Sequence, residues 1–557
     1  MIDMEKHKCI QTHKQLFDEF NKWKSLYKDV QAYINPYLGF FEDETPDSGL
    51  RKDEKIIRSS VVKYSHIYAA GLQWGITSPT RPWVKFTLPD DDVMQKDDVR
   101  FWLETVKNTT LEVLDRSNFY SQNHQNYLEM GCFGTGAMLI DEDPEDVIYC
   151  RTFTCGEYAI GTNHKGQPNA FARNIQMQPQ QIADKFGLEN CPQQVKNLVE
   201  NQNVSTYLEV KHLIYPNPKY DEQKIDQEAM QFMDLYWMAG QDKDEYLHKG
   251  GYNEFPVMIA RGLVSGSNVY GTGPGIWALG DGKQLQLMAT DICIATELGI
   301  KPPIQAPMDI LKNGGINILP AGANYYNPMG GSDGSIKPVF QVNLNVEHAL
   351  AVAAQVEDSI KEHFSVKVFQ RIIDMEHGVR TAREIQEISS EKMTQLGPLL
   401  ERLQTEYLSQ IVMRVFNIGF RAGIYPPPPP EIQGMPIKIE YSSVLSQAQQ
   451  QYVITPIVDT VTNTIQMALQ SQNMSVLDKI DMDEVVDQIA TANGVPPSII
   501  VSDERVAQLR LQRQQAIQMQ QQAEQSQQIL QGVKDLSQSS LEGNNALSAL
   551  LKGGEMQ

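Results

Sequence analysis

One stretch of the sequence comes close to a phosphate-binding loop. Gly275 and Gly280 have the spacing of the two glycines of a P-loop, and Lys283 lies three residues further on. A P-loop needs lysine directly after its second glycine, followed by serine or threonine to hold magnesium. Here Asp281 follows the second glycine and glutamine follows the lysine, so an acid would repel the phosphates. The motif therefore predicts no nucleotide site and no ATPase activity.

A second glycine-rich stretch, Gly131, Gly134 and Gly136, also lacks the chemistry that it first suggests. Its order does not match the dinucleotide-binding pattern G-x-G-x-x-G, and the residues after it are typical of a strand rather than a helix. Glycines in such a place favour close packing of one backbone segment against another. We expect packing here, not cofactor binding.

The remaining reactive residue types form no recognisable site. The acidic runs Asp90–Asp92 and Asp141–Asp143 have no second carboxylate group at a readable distance, and such runs are usually solvated loops. Histidines occur singly, and no serine or cysteine lies in a nucleophile elbow. The six cysteines include no Cys-x-x-Cys pair, which favours reduced thiols. We therefore expect no catalytic residue, no cofactor-binding residue and no metal ligand.

Composition narrows the class of protein further. The 557 residues are 41% hydrophobic, which is enough for a sizeable core, and acids outnumber bases 69 to 48, giving a net charge of −21. A protein that grips nucleic acid neutralises phosphates with lysine and arginine, so a nucleic-acid partner would be one that is not held tightly. No apolar run approaches the roughly 18 residues of a membrane span. The N-terminus is charged and lacks the apolar stretch of a secretory signal, which predicts synthesis in a cytoplasm.

The first half of the chain has the pattern of an α+β body. Apolar residues at helical spacing predict helices over residues 10–35, 55–75 and 97–117. An alternating run from Trp83 to Leu88 predicts a half-buried strand. From Gly131 to Ala260, short β-like runs alternate with glycine, proline and asparagine turns.

The pattern changes after Gly275. Ile276 to Ile300 and Val346 to Phe364 are predicted to be two long helices, and the segment between them is rich in glycine, proline and asparagine. We expect short strands in that insert. Two long helices that bracket a compact insert form a stalk with a cap.

The C-terminal third is predicted to be mostly helical. Thr381 to Ala422 has the strongest 3.6-residue period, with a kink expected at Gly397-Pro398. A stiff linker, Pro426 to Pro430, precedes a strand at Ile437 to Tyr441, and residues 443–500 are again helical. The glutamine-rich stretch near Gln508 to Gln528 fits a weakly self-associating helix and a floppy tail equally well.

Several motifs in this region resemble the portal, or head-to-tail connector, family of short-tailed phages. Arg380–Ile385 is similar to the family's Thr-Ala-x-Glu-Ile/Val helix start, and Leu396–Glu406 to its Leu-Gly-Pro-x-x-x-Arg-Leu-Gln-x-Glu run. Tyr441–Gln449 resembles its strand and Leu-Ala-Gln-Ala-Gln segment, with Ser446 in place of alanine. The family's closing segment is resembled by Ile480–Glu484, Gly494–Pro497 and Ser502–Ala507.

The resemblance implies a mainly helical α+β portal fold with wing, stem, clip and crown regions, assembled into a dodecameric ring. The implied regions are wing 1–275, stem helix 276–300, clip 301–345, stem helix 346–365, tunnel loop 366–380, wing 381–442, crown 443–505 and a glutamine-rich helix or tail 506–557.

The function implied is that of a non-enzymatic ring at one capsid vertex, through which double-stranded DNA is packaged and ejected. The partners implied are further copies of the chain, the DNA, a terminase motor, scaffold and capsid proteins, and a tail adaptor. The chain would be a virion protein assembled in the host cytoplasm, with no membrane partner. Two other functions stay open, a ring-shaped tail adaptor or internal virion protein and a packaging ATPase or nuclease.

An acidic channel wall would let the duplex slide, because it does not hold phosphates through released counterions. Sparse bases could still steer or brake the DNA. The candidates are Lys361, Lys367 and Arg371, which the family's architecture would place on the tunnel side. The alternative for each is a solvated or ion-paired side chain beside Glu357, Glu362 or Asp374.

Overall fold

A computed structural model gives the fold of the chain. It describes residues 4–538 apart from gaps at 42–48, 50, 95, 202–205, 222–225, 227–228, 241–245, 308–316, 318, 320–321, 327–336, 339–345, 371–389, 443, 472–473, 493–500 and 502. The chain divides into two compact units, Met1–Val453 and Ile454–Gln557.

Helices dominate the described residues, in agreement with a mainly helical α+β fold. The first unit begins with a long helix, and most of its helices precede the predicted stalk. The helices up to the end of the predicted stalk are α1 (Met4–Tyr33), α2 (Ser60–Ile76), α3 (Asp91–Met94), α4 (Asp97–Arg116), α5 (Phe119–Phe133), α6 (Pro179–Phe186), α7 (Gln193–Glu200), α8 (Pro274–Trp277), α9 (Leu279–Ile300) and α10 (Val346–His363). The later helices are α11 (Ser390–Arg402), α12 (Ser409–Arg421), α13 (Val444–Ser471), α14 (Met482–Ala492) and α15 (Asp503–Gln538).

The strands within the described residues form four small sheets. The largest is antiparallel and has five consecutive strands, β4 (Tyr158–Thr162), β5 (Pro168–Met177), β6 (Leu208–Pro216), β7 (Phe232–Met238) and β8 (His248–Tyr252). A second antiparallel sheet has the order β3–β2–β9 and consists of β2 (Thr135–Asp143), β3 (Val147–Phe153) and β9 (Val257–Arg261). The predicted strand near Trp83 is β1 (Val84–Thr87), which pairs antiparallel with the C-terminal strand (Lys438–Tyr441).

The glycine-rich stretch after α5 packs closely against other backbone, as the sequence predicted. Gly134 ends α5 in the left-handed region at φ 78°, which favours glycine. A Cβ at this position would overlap the carbonyl oxygen of Gly271. A Cβ at Gly136 would overlap Asn126 in the same way. The absence of side chains is what allows helix α5 to turn directly into strand β2.

Two hydrophobic clusters hold the first unit together. The larger joins α1, α2, α4 and α5 to the small sheets and includes the fully buried rings of Tyr68, Tyr127 and Phe133. The smaller lies where α6 and α7 cover one part of the five-stranded sheet, through Ile182, Phe186 and neighbouring residues. Helices α5, α6 and α7 were not predicted from the sequence.

The predicted stalk helices are present almost at the expected residues. A short helix, α8, leads through Ala278 into α9, which ends at Ile300, with Lys301 between it and the two prolines. Helix α10 begins at Val346. The insert between them contains a small sheet of order β11–β10–β12, with β10 (Ile304–Pro307), β11 (Ala323–Tyr326) and β12 (Lys337–Pro338).

The strongest predicted helix is irregular at a different place from the expected kink. Helix α11 continues through Pro398, and the departure from α geometry is a π-helical turn at Leu403–Leu408. This wider turn leaves the carbonyl oxygen of Gln404 open to side-chain donors, and it accepts from the hydroxyls of Ser409 at 2.6 Å and Tyr441 at 3.2 Å. The first part of the predicted helix lies outside the described residues.

The second unit contains α14 and α15. Within it, Arg510 of α15 donates to Asp483 of α14 at 2.7 Å. The glutamine-rich stretch is helical throughout Asp503–Gln538. Its apolar side chains are exposed, including Leu509, Ile517 and Met519.

Candidate functional site

Helix α9 is fixed to the body of the first unit by one buried side chain. The Gln286 Oε1 atom accepts hydrogen bonds from the backbone N–H groups of Ile57 and Arg58, both at 2.8 Å. Its Nε2 atom donates to the carbonyl oxygen of Arg58 at 2.9 Å. One glutamine thus satisfies three backbone groups in the segment that leads into α2.

Helix α10 is fixed to the same segment by a carboxylate. Glu357 lies 2.8 Å from a terminal guanidinium nitrogen of Arg58 and accepts a hydrogen bond from the Tyr64 hydroxyl at 2.5 Å. Burial, followed by the bond to Glu357, raises the pKa of Tyr64, so this tyrosine stays protonated as a donor. We call Arg58, Tyr64, Gln286 and Glu357 the stem root.

The residues of the failed phosphate loop hold the helices of the stalk. Asp281 accepts a hydrogen bond from the Ser359 hydroxyl at 2.7 Å, which joins α9 to α10. The ammonium of Lys283 lies 2.7 Å from Asp29 of α1. Both residues are within helix α9 rather than in a loop. Their partners are side chains of the same chain, so the geometry supplies a structural role for this sequence.

Beyond the stem root, α9 and α10 expose large apolar side chains. Leu287, Ile294 and Ile300 of α9 are 64%, 47% and 70% exposed, and Leu350 of α10 is 48% exposed. In sequence they alternate with polar residues along two helices that contact each other. Exposed apolar faces of this kind are typical of surfaces that another protein covers.

The two helices carry a strong excess of acid. The seven acidic residues are Asp281, Asp291, Glu297, Glu347, Glu357, Asp358 and Glu362, and the two basic residues are Lys283 and Lys361. The local excess has the same sign as the net charge of the chain.

Two of the three predicted channel residues, Lys361 and Lys367, act on the same carboxylate, and the third, Arg371, lies outside the described residues. The Lys361 ammonium is 2.8 Å from Asp358 and lies over the Tyr64 ring at 5.8 Å. Lys367 is exposed. Both lysines lower the pKa of Asp358, after the direct hydrogen bond from Lys361. Lys361 is therefore ion-paired in the subunit.

The start of the predicted tunnel loop is helical and packed, which differs from the expectation. Residues 366–370 form a helical turn, and Val366, Val368 and Phe369 are buried. The Phe369 ring lies edge-on to Tyr68 at 5.3 Å, and a Cβ at Gly71 would overlap it. The apolar residues of this segment are drawn into the core against α2. The rest of the predicted loop lies outside the described residues.

Residues of both acidic runs lie in elements of regular secondary structure. Asp91 and Asp92 begin the short helix α3. The second run was expected in a loop but ends strand β2, where Glu142 pairs with Arg421 at 2.7 Å. The described residues contain no group of three or more histidine, cysteine or acidic residues that could hold a metal. None of the described helices is both long and apolar enough to span a bilayer.

Sequence reasoning did not find the stem root. Gln286 and its backbone partners are more than 220 residues apart in sequence, and Glu357 is 293 residues from Tyr64. A single glutamine within a helix has no local pattern that marks it as an anchor. The only signal available was its place near the start of a long predicted helix.

Comparison with known proteins agrees with the motifs. The family described as "Bacteriophage head to tail connecting protein" matches residues 6–501. A "Portal protein" of Salmonella phage epsilon15 is 34% identical over 551 residues, which cover 99% of this chain and 98% of the relative. A "Probable portal protein" of Bordetella phage BPP-1 is 32% identical over 509 residues, which cover 91% of each chain.

Among solved structures, a chain from the virion of a native gene transfer agent particle aligns with a TM-score of 0.25 and 10% identity. The alignment covers 68% of this chain and 94% of that one, and its score is too low to support a conclusion about the fold. The family match and the two relatives, by contrast, extend over nearly the whole sequence. The chain therefore belongs to the bacteriophage head-to-tail connecting family, and its function is that of a structural, non-enzymatic phage portal protein.

Proposed function

We propose that about twelve copies of the chain form a closed ring at one capsid vertex and that double-stranded DNA passes through its centre. The observation that carries this proposal, beside membership of the family, is the pair of stalk helices with exposed Leu287, Ile294, Ile300 and Leu350. In a ring of identical subunits, one face of each stalk contacts a different face of the next, so every copy covers its neighbour.

The charge of the stalk supports a passage that does not hold the DNA. Seven acids and two bases on α9 and α10 would repel phosphates, and repulsion keeps counterion release from trapping the duplex. The force for packaging would come from a separate terminase motor, since Asp281 and Lys283 lie on a helix and are paired with Ser359 and Asp29. Capsid and scaffold proteins and a tail adaptor would dock on the outside of the ring.

The wing, stem, clip, tunnel and crown boundaries follow from the same family architecture. The stem corresponds to 276–300 and 346–365, with the clip between them at 301–345 and the tunnel segment at 366–380. The proposed site of the protein is the virion, after assembly in the host cytoplasm.

A genetic experiment separates this function from that of a tail adaptor. A phage that lacks the gene is complemented with the wild-type chain, or is left without it, and the heads are collected and their DNA content is measured. A portal is needed before packaging, so the heads without it should contain no genome. Heads filled with DNA but lacking tails would instead indicate an adaptor and would contradict the proposal.

The three channel bases give a finer test. We expect Lys367→Glu rings to assemble normally but to package or retain DNA differently from wild-type rings at matched salt, because each copy adds one charge at the bore. Lys165→Glu, at an exposed hairpin tip, is the matched control. Equal packaging and retention by the Lys367→Glu and wild-type particles would remove Lys367, and with it the grouping of Lys361 and Arg371, from the channel.

A further inference from the structure

A row of polar residues crosses the five-stranded sheet. In the strand register, Arg173 of β5 is opposite His212 of β6, His212 is opposite Tyr236 of β7, and Tyr236 is opposite His248 of β8. Residues directly opposite each other in antiparallel strands have their side chains on the same face. The rings of His212 and Tyr236 stack at 3.9 Å, which agrees with this placement.

This row lies between the two hydrophobic clusters of the first unit. Phe171, which is two residues from Arg173 along β5 and on the same face, belongs to the larger cluster. Tyr236 and Val210 belong to the smaller one. The residues between them are polar, and Arg173 and His212 are only 4% and 1% exposed. We call Arg151, Arg173, Lys185, His212 and Tyr236 the cationic seam.

Three cations converge on this seam from three different elements. The Arg173 guanidinium carbon lies 4.0 Å from the centre of the Phe153 ring, and that of Arg151 lies 5.9 Å from the same centre. The Lys185 ammonium, from α6, lies over the Tyr236 ring at 4.5 Å. Arg151 and Lys185 are exposed as whole residues, whereas Arg173 lies beneath them on the sheet.

The cations of the seam repel one another without close neutralisation. Arg173 comes no nearer than 4.0 Å to its carboxylate, Glu157. Within the part of the chain that the structure describes, neither Arg151 nor Lys185 has a carboxylate within 4.0 Å. Burial lowers the pKa of Arg173 to about 10. Burial of the ammonium over the ring, followed by repulsion from Arg173, lowers the pKa of Lys185.

The nearby acids offset this charge only in part, because burial and repulsion from Arg173 lower the pKa of Lys185 despite the attraction of Asp234 and Asp141. Asp234 is engaged by the Nε2 atom of His212 at 2.7 Å and lies 4.0 Å from His248. Burial raises the pKa of Asp141, which weakens its tendency to carry charge at the seam. In a chain with a net charge of −21, three neighbouring cations with no carboxylate nearer than 4.0 Å among the described residues are an unusual local arrangement.

Two deeply buried polar atoms of the seam are also unpartnered among the described residues. They are the Nε atom of Arg173 and the Nδ1 atom of His212. Buried polar groups are normally hydrogen-bonded, and a buried polar group without a partner destabilises the fold. A ligand oxygen that reaches the floor of the seam would accept a hydrogen bond from the Arg173 Nε–H group.

We propose that the cationic seam is a binding site for a tetrahedral oxyanion of the phosphate class. Guanidinium groups bind phosphate oxygens through planar, paired N–H donors, and an ammonium adds a compact point charge. Arg151 and Lys185 would meet the anion at the opening, and Arg173 would meet it on the floor. The anion also relieves the repulsion among the three cations. This site is separate from the stalk and does not depend on the proposed channel.

The proposal is tested by anion binding to the purified full-length chain. Binding of inorganic phosphate is measured by calorimetry at constant ionic strength, with chloride as the replaced anion. Wild type should bind phosphate saturably, and Arg151→Gln and Lys185→Gln should each weaken binding roughly tenfold, as expected for loss of a charged hydrogen bond. Lys165→Gln, a lysine at the β4–β5 hairpin tip of the same sheet, should bind as wild type does.

A second arm identifies the source of the phosphate. A short duplex DNA is titrated under the same conditions. Binding of phosphate alone, lost in both variants, would assign the seam to a free phosphate-type anion. Binding of the duplex as well, lost in the same variants, would assign it to the phosphodiester backbone. The proposal is wrong if neither ligand binds saturably, or if the Lys165→Gln control weakens binding as much as Arg151→Gln does.

Discussion

The stem root and the remaining surface of helices α9 and α10 differ in what their side chains contact. At the root, Gln286 and Glu357 satisfy backbone groups, a guanidinium and a hydroxyl from the segment 57–64 of the same chain. Elsewhere on their surfaces, α9 and α10 expose Leu287, Ile294 and Leu350 to solvent. The polar side chains of the root are paired within their own chain, whereas the exposed apolar side chains would be buried only by another copy.

This difference separates two kinds of sequence change. A substitution at the root should lower the stability of the isolated subunit, because it leaves buried polar groups without partners. A substitution on the outer faces should leave that stability almost unchanged, because these side chains are already exposed. It should instead act on assembly.

The largest effect is expected on the outer face of α9. Leu287→Asp combined with Ile294→Asp should abolish ring formation, because the same charged pair is repeated at every interface of the ring. The free energy of unfolding of the subunit should change by less than about 0.5 kcal/mol. Mass photometry and urea denaturation measure the two quantities. Leu188→Asp, at another exposed leucine, is the control, and rings formed by the double variant would count against the outer-face account.

The next effect is expected at the root. Gln286→Ala removes a partner from two backbone N–H groups and one carbonyl, and should lower the free energy of unfolding by about 2–4 kcal/mol. Gln284→Ala, two residues away on the exposed side of the same helix, should change it by less than about 0.5 kcal/mol. Urea denaturation of both variants at one pH makes the comparison. Equal stability of the two would mean that Gln286 does not anchor α9.

A pH-dependent effect on the free energy of unfolding is expected at the buried residue Glu129. Glu129 is fully buried, where it accepts from the Thr154 hydroxyl and the Cys155 N–H, and burial raises its pKa to about 7. An acid whose folded pKa is raised contributes stability below its unfolded pKa near 4.5, and this contribution is lost as the pH rises through 7.

Glu129→Gln cannot ionise, so its stability relative to wild type should rise by up to about 3 kcal/mol between pH 4.5 and pH 8. Urea midpoints of both proteins at the two pH values give this difference, in which any constant cost of the substitution cancels. Parallel curves for the two proteins would show that Glu129 ionises in the fold as easily as in water.

The smallest effect is expected at the exposed pair on α10. Lys361→Met removes a partly exposed ion pair with Asp358 and should leave the urea midpoint almost unchanged, because solvent screens such a pair. The change should shrink further in high salt. A loss of several kcal/mol in the same denaturation assay would place Lys361 among the root contacts instead.

The sequence predicted what depends on local pattern. The bounds of α9 and α10 were close, because apolar periodicity and the prolines at 302 and 303 act locally. Helix α5 was missed because Gly131 and its polar neighbours weaken the helical signal, although tertiary packing against α2 stabilises it. The π-helical turn at Leu403–Leu408 was not predicted, since it is stabilised by the distant Tyr441.

The sites were harder to predict for a related reason. The failure of the phosphate loop was readable, because Asp281 is adjacent to Gly280 in sequence. The stem root and the cationic seam depend on residues that only strand register and helix packing bring together, such as Arg173 and His212. The motifs that identify the family could be recognised in the sequence because each is a contiguous run of residues.

The central claim is that this chain closes into a ring around a DNA passage. End-on electron microscopy of the purified full-length protein, with native mass spectrometry of the same sample, tests it most directly. The account predicts one closed assembly of about twelve copies with an open centre. Monomers alone across the micromolar range, or assemblies with no central opening, would contradict it.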